Sequence, residues 1–76
     1  MKIEVLGMGC MKCRRLHDNV KEALELSGKE ADISKITDLA TITEYGVMST
    51  PALAVDGKVV SSGKVMTPEE IQSVLP

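Results

Sequence analysis

Apolar and polar residues alternate at the start of the chain in a way that predicts a short strand and then a long helix. Ile3, Val5 and Leu6 dominate the first segment, which ends at Gly7. Apolar residues then recur three and four positions apart, which places them on one helical face: Cys13, Leu16, Val20, Ala23 and Leu24. We expect this helix to end at Ser27-Gly28, because glycine favours the left-handed conformation that follows many last helical turns.

The middle of the chain predicts a second strand and a short second helix. The strand covers residues Ala31 to Ile36, with Ile33 and Ile36 as its main apolar members. Thr37-Asp38 can cap a helix that extends to about Tyr45, just before Gly46.

The last third predicts a hairpin followed by a third helix. The residues Asp56-Gly57 separate two apolar runs, 51–55 and 58–61, and this dipeptide is typical of two-residue hairpin turns. Thr67, Pro68 and Glu70 then form a capping box with proline in the first turn, which marks a helix start. We expect the buried face of this helix to carry Ile71, Val74 and Leu75.

The predicted order is therefore β-α-β-α-β-β-α. A helix between the first two strands indicates a right-handed parallel unit, and the hairpin makes the last two strands antiparallel. This gives an α/β fold with a mixed four-stranded sheet and three flanking helices. The length of 76 residues suits a single domain, 1–76.

Composition narrows the possible functions. The net charge is −2 and Tyr45 is the single aromatic residue, which argues against nucleic-acid binding through basic and stacking side chains. No apolar run approaches the roughly 18–20 residues of a membrane span. The first residues are too interrupted by charge to form a signal peptide. We therefore expect a cytoplasmic protein, and a monomer, that binds neither nucleic acid nor membrane.

The chemistry of the chain is concentrated at Cys10-Met11-Lys12-Cys13, where the first strand passes into the first helix. The unpaired N–H groups and the dipole of a helix start favour a thiolate over a thiol. Lys12, Arg14 and Arg15 add positive charge, unless they form an ordinary solvated face. We expect Lys12 and Arg14 to help lower the pKa of the exposed cysteine below the free value of about 8.5.

The positions of the two cysteines indicate different roles in disulfide exchange. Cys10 follows Gly9 at the helix tip, so we predict that it is the nucleophile that attacks a substrate disulfide. Cys13 lies one turn further on the apolar face, so we predict that it resolves the mixed disulfide. The product is a Cys10–Cys13 disulfide, and the reaction requires no bound cofactor.

Metal binding is an alternative interpretation of the same segment. Residues 8–13 also read M-x-C-x-x-C, which resembles the loop of small heavy-metal-associated copper chaperones. Two thiolates, from Cys10 and Cys13, suit soft Cu(I). This segment alone does not distinguish a soft-metal chaperone from a dithiol oxidoreductase.

The downstream chain favours the redox interpretation. Copper chaperones have the order βαββαβ, whereas a second helix and a final helix are predicted here. Residues 45–53, Tyr-Gly-Val-Met-Ser-Thr-Pro-Ala-Leu, resemble the thioredoxin segment that follows a short helix. With the opening G-x-G-C-x-x-C, nearly the whole chain resembles the small thioredoxin-like redox-active disulfide proteins of archaea and bacteria. It lacks the extra N-terminal βα unit of larger thioredoxins.

The resemblance implies a thioredoxin-like fold and a set of roles. Cys10 and Cys13 would form the redox-active disulfide, a cis peptide bond would precede Pro51, and the backbone of Thr50 would receive substrate. Gly9 and Met11, beside Cys10, are expected to contact substrate as well. The implied partners are disulfide-containing proteins and an enzyme resembling thioredoxin reductase.

Some features depart from larger thioredoxins or have several interpretations. Gly9 stands where a tryptophan is usual, the residues between the cysteines are Met-Lys, and no buried acid can be assigned from the sequence. A binding module that keeps the fold without activity is therefore a third hypothesis. We expect His17 to pack or be solvated on the helix flank. Met8, Met11 and Met48 are expected to form an apolar rim around the cysteines.

Overall fold

A computed structural model of the chain describes residues 1–8 and 11–76. Four strands and three helices follow the predicted order. They are β1 (Lys2–Leu6), α1 (Met11–Ser27), β2 (Asp32–Ile36), α2 (Leu39–Glu44), β3 (Ala52–Val55), β4 (Lys58–Ser62) and α3 (Pro68–Val74).

The strands form one mixed sheet in the order β2-β1-β3-β4. Strand β1 pairs with β2 in parallel and with β3 in the antiparallel sense, and β3 pairs with β4 through the hairpin. Because β1 and β2 are parallel, their carboxyl ends lie at the same edge of the sheet, and the chain enters α1 from that edge. The α/β class and the mixed sheet predicted from the sequence are confirmed.

The core has two parts. The larger part joins β1 and β3 to the apolar face of α1 and to α3, with Ile3, Leu16, Leu53 and Ile71 fully buried. The smaller part contains Leu6 of β1, Ile42 of α2, and Ala52 and Ala54 of β3. Successive residues of β1 therefore contribute to different clusters, as the alternation of a strand requires. The chain has no Phe or Trp, and the buried core residues that the structure describes are mainly aliphatic.

Local sequence determines where most elements begin and end. The Asp38 side chain accepts from the Thr41 N–H at the start of α2, and Thr67 with Glu70 forms the complete capping box of α3. Asp56 and Gly57 have φ angles of 51° and 83°, which suit the tight turn between β3 and β4.

Small differences from the prediction occur at strand ends. Strand β2 begins at Asp32, one residue later than predicted, and β3 begins after Pro51, which has no N–H to donate. Strand β4 continues to Ser62 because Ser62 pairs with Ala52 across the sheet. Among the described residues, no helix has both the length and the apolar character needed to cross a bilayer.

Candidate active site

The candidate site lies where β1 ends and α1 begins. Gly7 follows the last residue of β1, and α1 starts at Met11. Gly9 and Cys10 lie outside the described residues, so the predicted substrate contact and the predicted nucleophile have no structural description here. The site is therefore described from the groups around Cys13.

Cys13 is buried in the first turn of α1, with 6% of its surface exposed. It lies on the helical face that also carries Leu16 and Val20. Gly7 packs directly against its sulfur, since a β-carbon on Gly7 would lie 2.2 Å from Cys13 Sγ. The prediction that Cys13 occupies the apolar face is confirmed, and the end of β1 is shaped to admit its sulfur.

The segment before β3 approaches the same place. The Thr50–Pro51 peptide bond is cis, as the resemblance implied, and Pro51 is fully buried. A β-carbon on Gly7 would also lie 3.7 Å from Thr50 Cβ. The buried sulfur of Cys13 and the exposed residue Thr50 therefore approach the same side of Gly7.

Gly63 holds this segment in place. Its N–H donates to the carbonyl oxygens of Ser49 and Pro51, at 3.2 and 2.9 Å. Its φ is +71°, and a β-carbon at this position would lie only 2.9 Å from Ser49 Cβ. Gly63 thus permits a close approach to Ser49 that a larger residue would obstruct.

Positive charge surrounds the start of α1. Lys12, Arg14 and Arg15 are all exposed there, and the first turn of the helix carries no acidic residue. Of the three, Arg14 lines a cleft together with Cys13. His17 is on the helix flank, as expected, where its Nδ1 lies 3.9 Å from the Asp18 carboxylate.

The cleft beside Cys13 has a volume of about 170 Å³. Its described lining residues are Val5, Gly7, Cys13, Arg14, Lys35 and Thr37. Lys35 was not among the site residues predicted from the sequence. Strand alternation could have done so, because Ile33 packs on the α1 side of the sheet and Lys35 lies two positions later on the same face.

The three methionines that the sequence singled out are exposed. Met8, Met11 and Met48 are 65%, 79% and 97% exposed. Met8 and Met11 flank the undescribed positions 9 and 10 in sequence. These side chains are solvent-accessible, and their arrangement as an apolar rim around the cysteines remains a prediction.

A second polar feature lies away from this cleft. Glu4 of β1 is only 4% exposed, and the Tyr45 hydroxyl donates to its Oε1 at 2.7 Å. This hydrogen bond to Glu4 raises the pKa of Tyr45 above its ordinary value, and burial adds to the effect. The sequence did not predict this hydrogen bond between Tyr45 and a buried carboxylate. Glu4 is not among the described residues that line the Cys13 cleft.

The whole chain matches a known family. The model of the thioredoxin domain matches residues 1–76. The chain belongs to the thioredoxin domain family. It is 40% identical over 75 residues to a thioredoxin of Methanothermobacter thermautotrophicus, covering 99% of this chain and 97% of that protein. It is 42% identical over 73 residues to a thioredoxin of Methanocaldococcus jannaschii, covering 96% of this chain and 84% of that protein.

Membership of the thioredoxin domain family agrees with the observed element order. The order βαββαβ expected of a copper chaperone is not found, because α2 intervenes and the chain continues into α3 after β4. Neither the family match nor the two archaeal thioredoxins supports the metal-binding alternative.

Proposed function

We propose that this thioredoxin-family protein reduces disulfide bonds by dithiol–disulfide exchange through Cys10 and Cys13. The observation that carries the proposal is that the buried Cys13 sulfur and the exposed Thr50 approach the same side of Gly7, where a β-carbon would lie 2.2 Å from Cys13 Sγ and 3.7 Å from Thr50 Cβ. A resolving thiol must be shielded from outside disulfides, while a substrate must reach the neighbouring surface. The burial of Cys13 and the exposure of Thr50 support these two roles.

The segment around Thr50 suits an extended substrate backbone. Gly63 bonds to the carbonyls of Ser49 and Pro51, which fixes the residues on both sides of Thr50. The backbone N–H and C=O of Thr50 form no hydrogen bond within residues 1–8 and 11–76. They are therefore available to pair with a substrate strand, in the manner of strand addition to a sheet edge.

The proposed reaction is balanced without a cofactor. The Cys10 thiolate attacks one sulfur of the substrate disulfide, which forms a mixed disulfide and releases the first substrate thiolate. The Cys13 thiolate then attacks Cys10 Sγ, which releases the second substrate thiolate and leaves the Cys10–Cys13 disulfide. The substrate gains two electrons and the protein loses two. Both released thiolates take their protons from solvent.

The proposed partners follow from this electron balance. An enzyme of the thioredoxin-reductase class must return two electrons to the oxidised protein after each turnover. Disulfide-containing proteins are the proposed substrates, and Gly9 and Met11 are proposed to contact them beside Cys10. The cytoplasmic location and the monomeric state expected from the sequence remain predictions.

A trapping experiment tests the proposal. Cys13→Ser should accumulate mixed disulfides with substrate proteins, because the resolving thiol is absent. Cys10→Ser, the matched control, should accumulate far fewer, because the remaining thiol is buried. Equal trapping by the two variants would contradict the assigned roles. Failure of the parent protein to reduce any disulfide would instead favour a binding module without redox activity.

The reduction potential of the pair tests the direction of transfer. A value near the roughly −270 mV of thioredoxin fits a reductant. A value near −120 mV, about that of a strong oxidant such as DsbA, would contradict the proposed role as a reductase.

A further inference from the structure

The cleft beside Cys13 is lined by two cationic side chains from different elements. Arg14 follows Cys13 in α1, and Lys35 comes from β2. Val5 and Lys35 are direct partners in the parallel pairing of β1 and β2, so both side chains point to the face of the sheet that α1 covers. The strand register and the lining of the cleft therefore agree that Lys35 lies beside the cleft of Cys13.

Within the part of the chain that the structure describes, the other elements that line this cleft bring no opposing charge to it. Val5 and Gly7, at the end of β1, are uncharged, and Thr37, after β2, supplies a hydroxyl. Ser49 and Thr50, in the segment that approaches Gly7, are also uncharged. His17 lies one turn beyond Cys13 on α1, with Asp18 as its neighbour. The described residues that line the cleft thus include two cations and no carboxylate.

In the resolving step, a buried thiol beside this cleft must react as a thiolate. Only a thiolate attacks a disulfide, yet burial in apolar surroundings disfavours the charged form of a thiol. Cys13 is almost fully buried on the helical face that also carries Leu16 and Val20, and Gly7 at the end of β1 lies against its sulfur. Some feature of its surroundings must offset that cost when Cys13 reacts.

We propose that Lys35, together with Arg14, stabilises the Cys13 thiolate electrostatically during resolution of the mixed disulfide. The inference rests on the proposed dithiol exchange and names how its second step is promoted. Lys35 acts through Cys13 and is therefore a positioning residue. The Cys13 proton passes to solvent in the open cleft. The thiolate then attacks Cys10 Sγ, and the substrate sulfur leaves with the bonding electron pair and is protonated by solvent.

The two steps can be separated with a neutral dipyridyl disulfide. Mixed with the reduced protein, it should release one thiopyridone when Cys10 attacks and a second when Cys13 resolves. The probe must be neutral, because the rate at which a charged disulfide reacts would itself change when a lysine is removed. Cys13→Ser should show the first release only, which identifies the second phase as resolution.

The decisive variant is Lys35→Gln, studied over a range of pH. The midpoint of the pH profile of the second phase should move up by about half to one unit, because a nearby positive charge is removed from a partly solvated site. Below the midpoint, resolution should be slower by about two- to fourfold. Above it, resolution should be equal or faster, because a more basic thiolate is a better nucleophile. The first phase should change little.

Two variants provide matched controls. Lys58 is an exposed lysine on the opposite edge strand, so Lys58→Gln should leave both phases as in the parent protein. Lys35→Arg keeps the positive charge and should restore the parent profile. At a salt concentration of about 1 M, where the Debye length falls to about 3 Å, the difference between Lys35→Gln and the parent should shrink.

The outcomes separate the two proposals. If the parent protein shows no second phase, dithiol exchange itself is contradicted. If the second phase is present but Lys35→Gln has the parent midpoint, the electrostatic role of Lys35 is overturned while dithiol exchange stands. A uniform slowing at every pH would also overturn it, because that result indicates a structural role.

Discussion

Gly7 and Cys13 pack so closely that a β-carbon on Gly7 would lie 2.2 Å from the Cys13 sulfur. No real β-carbon tolerates such a contact with a sulfur that is held in the first turn of a helix. Any larger residue at position 7 must displace Cys13, α1 or the end of β1. The glycine is thus required by the position of the thiol and not by its own backbone conformation.

Gly7→Ala should therefore affect both stability and the resolving step. We expect the free energy of unfolding to fall by about 1–3 kcal/mol, as for other overpacked positions. The second thiopyridone release should slow, because the sulfur is moved from its place. Denaturant unfolding and the two-phase assay measure these effects.

The control is Gly28→Ala, where backbone strain at φ +67° costs stability but nothing lies within 4 Å of the new carbon. A Gly7→Ala variant with parent stability and rates would contradict the contact.

Met8 should contribute to binding of protein substrates. Met8→Gln removes an exposed apolar side chain next to the candidate site, and kcat/KM toward a protein disulfide should fall roughly two- to fivefold. Reduction of the small dipyridyl disulfide should change little, because that probe needs no docking surface. Leu39 has the same exposure of 65% but lies at the start of α2, so Leu39→Gln is the matched control. Equal effects of Met8→Gln and Leu39→Gln would argue against a docking rim.

Tyr45→Phe should destabilise the fold in a pH-dependent way. The variant leaves the buried carboxylate of Glu4 without its 2.7 Å hydrogen bond, so thermal unfolding should occur at a lower temperature. The raised pKa of Tyr45 means that the folded state holds the phenol proton more tightly than the unfolded chain. This contribution is present below about pH 10 and is lost as pH rises through the raised value.

The stability gap between the parent protein and Tyr45→Phe should accordingly narrow in alkaline solution. In a protein that already carries Glu4→Gln, the Tyr45→Phe change should lower the free energy of unfolding by less, because no charged acceptor is left unpaired. Denaturant unfolding of the four proteins as a function of pH provides the measurement. If the loss of stability caused by Tyr45→Phe is the same at every pH and is the same with Glu4 as with Glu4→Gln, the coupling of the two side chains is contradicted.

Glu70 should support the fold in neutral solution and not in acid. Its carboxylate accepts from Lys64 Nζ and from the Thr67 N–H, and these bonds lower the pKa of Glu70 below its ordinary value. The contribution is therefore present above about pH 4.5 and is lost as pH falls through the lowered pKa. Glu70→Gln should be less stable than the parent at pH 7, and the difference should close in strong acid.

The neighbouring Glu69 is the control for this prediction. It is exposed in the first turn of α3 and is not part of the capping box. Glu69→Gln should have a smaller effect on denaturant unfolding at pH 7. A larger loss for Glu69→Gln than for Glu70→Gln would contradict the role assigned to the cap and the Lys64 ion pair.

Elements that depend on neighbouring residues could be predicted from the sequence. The capping box at Thr67, the turn at Asp56-Gly57 and the apolar face of α1 all involve side chains within a few positions of one another. Their geometry is set by local conformational preferences and by helical or strand periodicity. The element order followed from these signals, and the placement of Cys13 on the buried face followed from the same periodicity.

Contacts between distant residues required the tertiary structure. Tyr45 and Glu4 are 41 positions apart, and no local pattern links a tyrosine after α2 to an acid in β1. The register of β1 and β2 brings Lys35 beside Val5 and so into the cleft of Cys13. The sequence had directed attention to Lys12 and Arg14 because they adjoin the cysteines, and of these two only Arg14 is among the described residues that line the cleft.

The sequence by itself determined the element order and indicated the type of chemistry that is proposed, since two cysteines before a predicted helix and a proline segment downstream are readable along the chain. Only the tertiary structure decided which charges and which backbone surround Cys13. The physical reason is the distance along the chain over which each effect acts. Periodicity and capping act over a few residues, whereas the field at a buried sulfur sums over every element packed against it. That packing is fixed by the pairing of β1 with both β2 and β3.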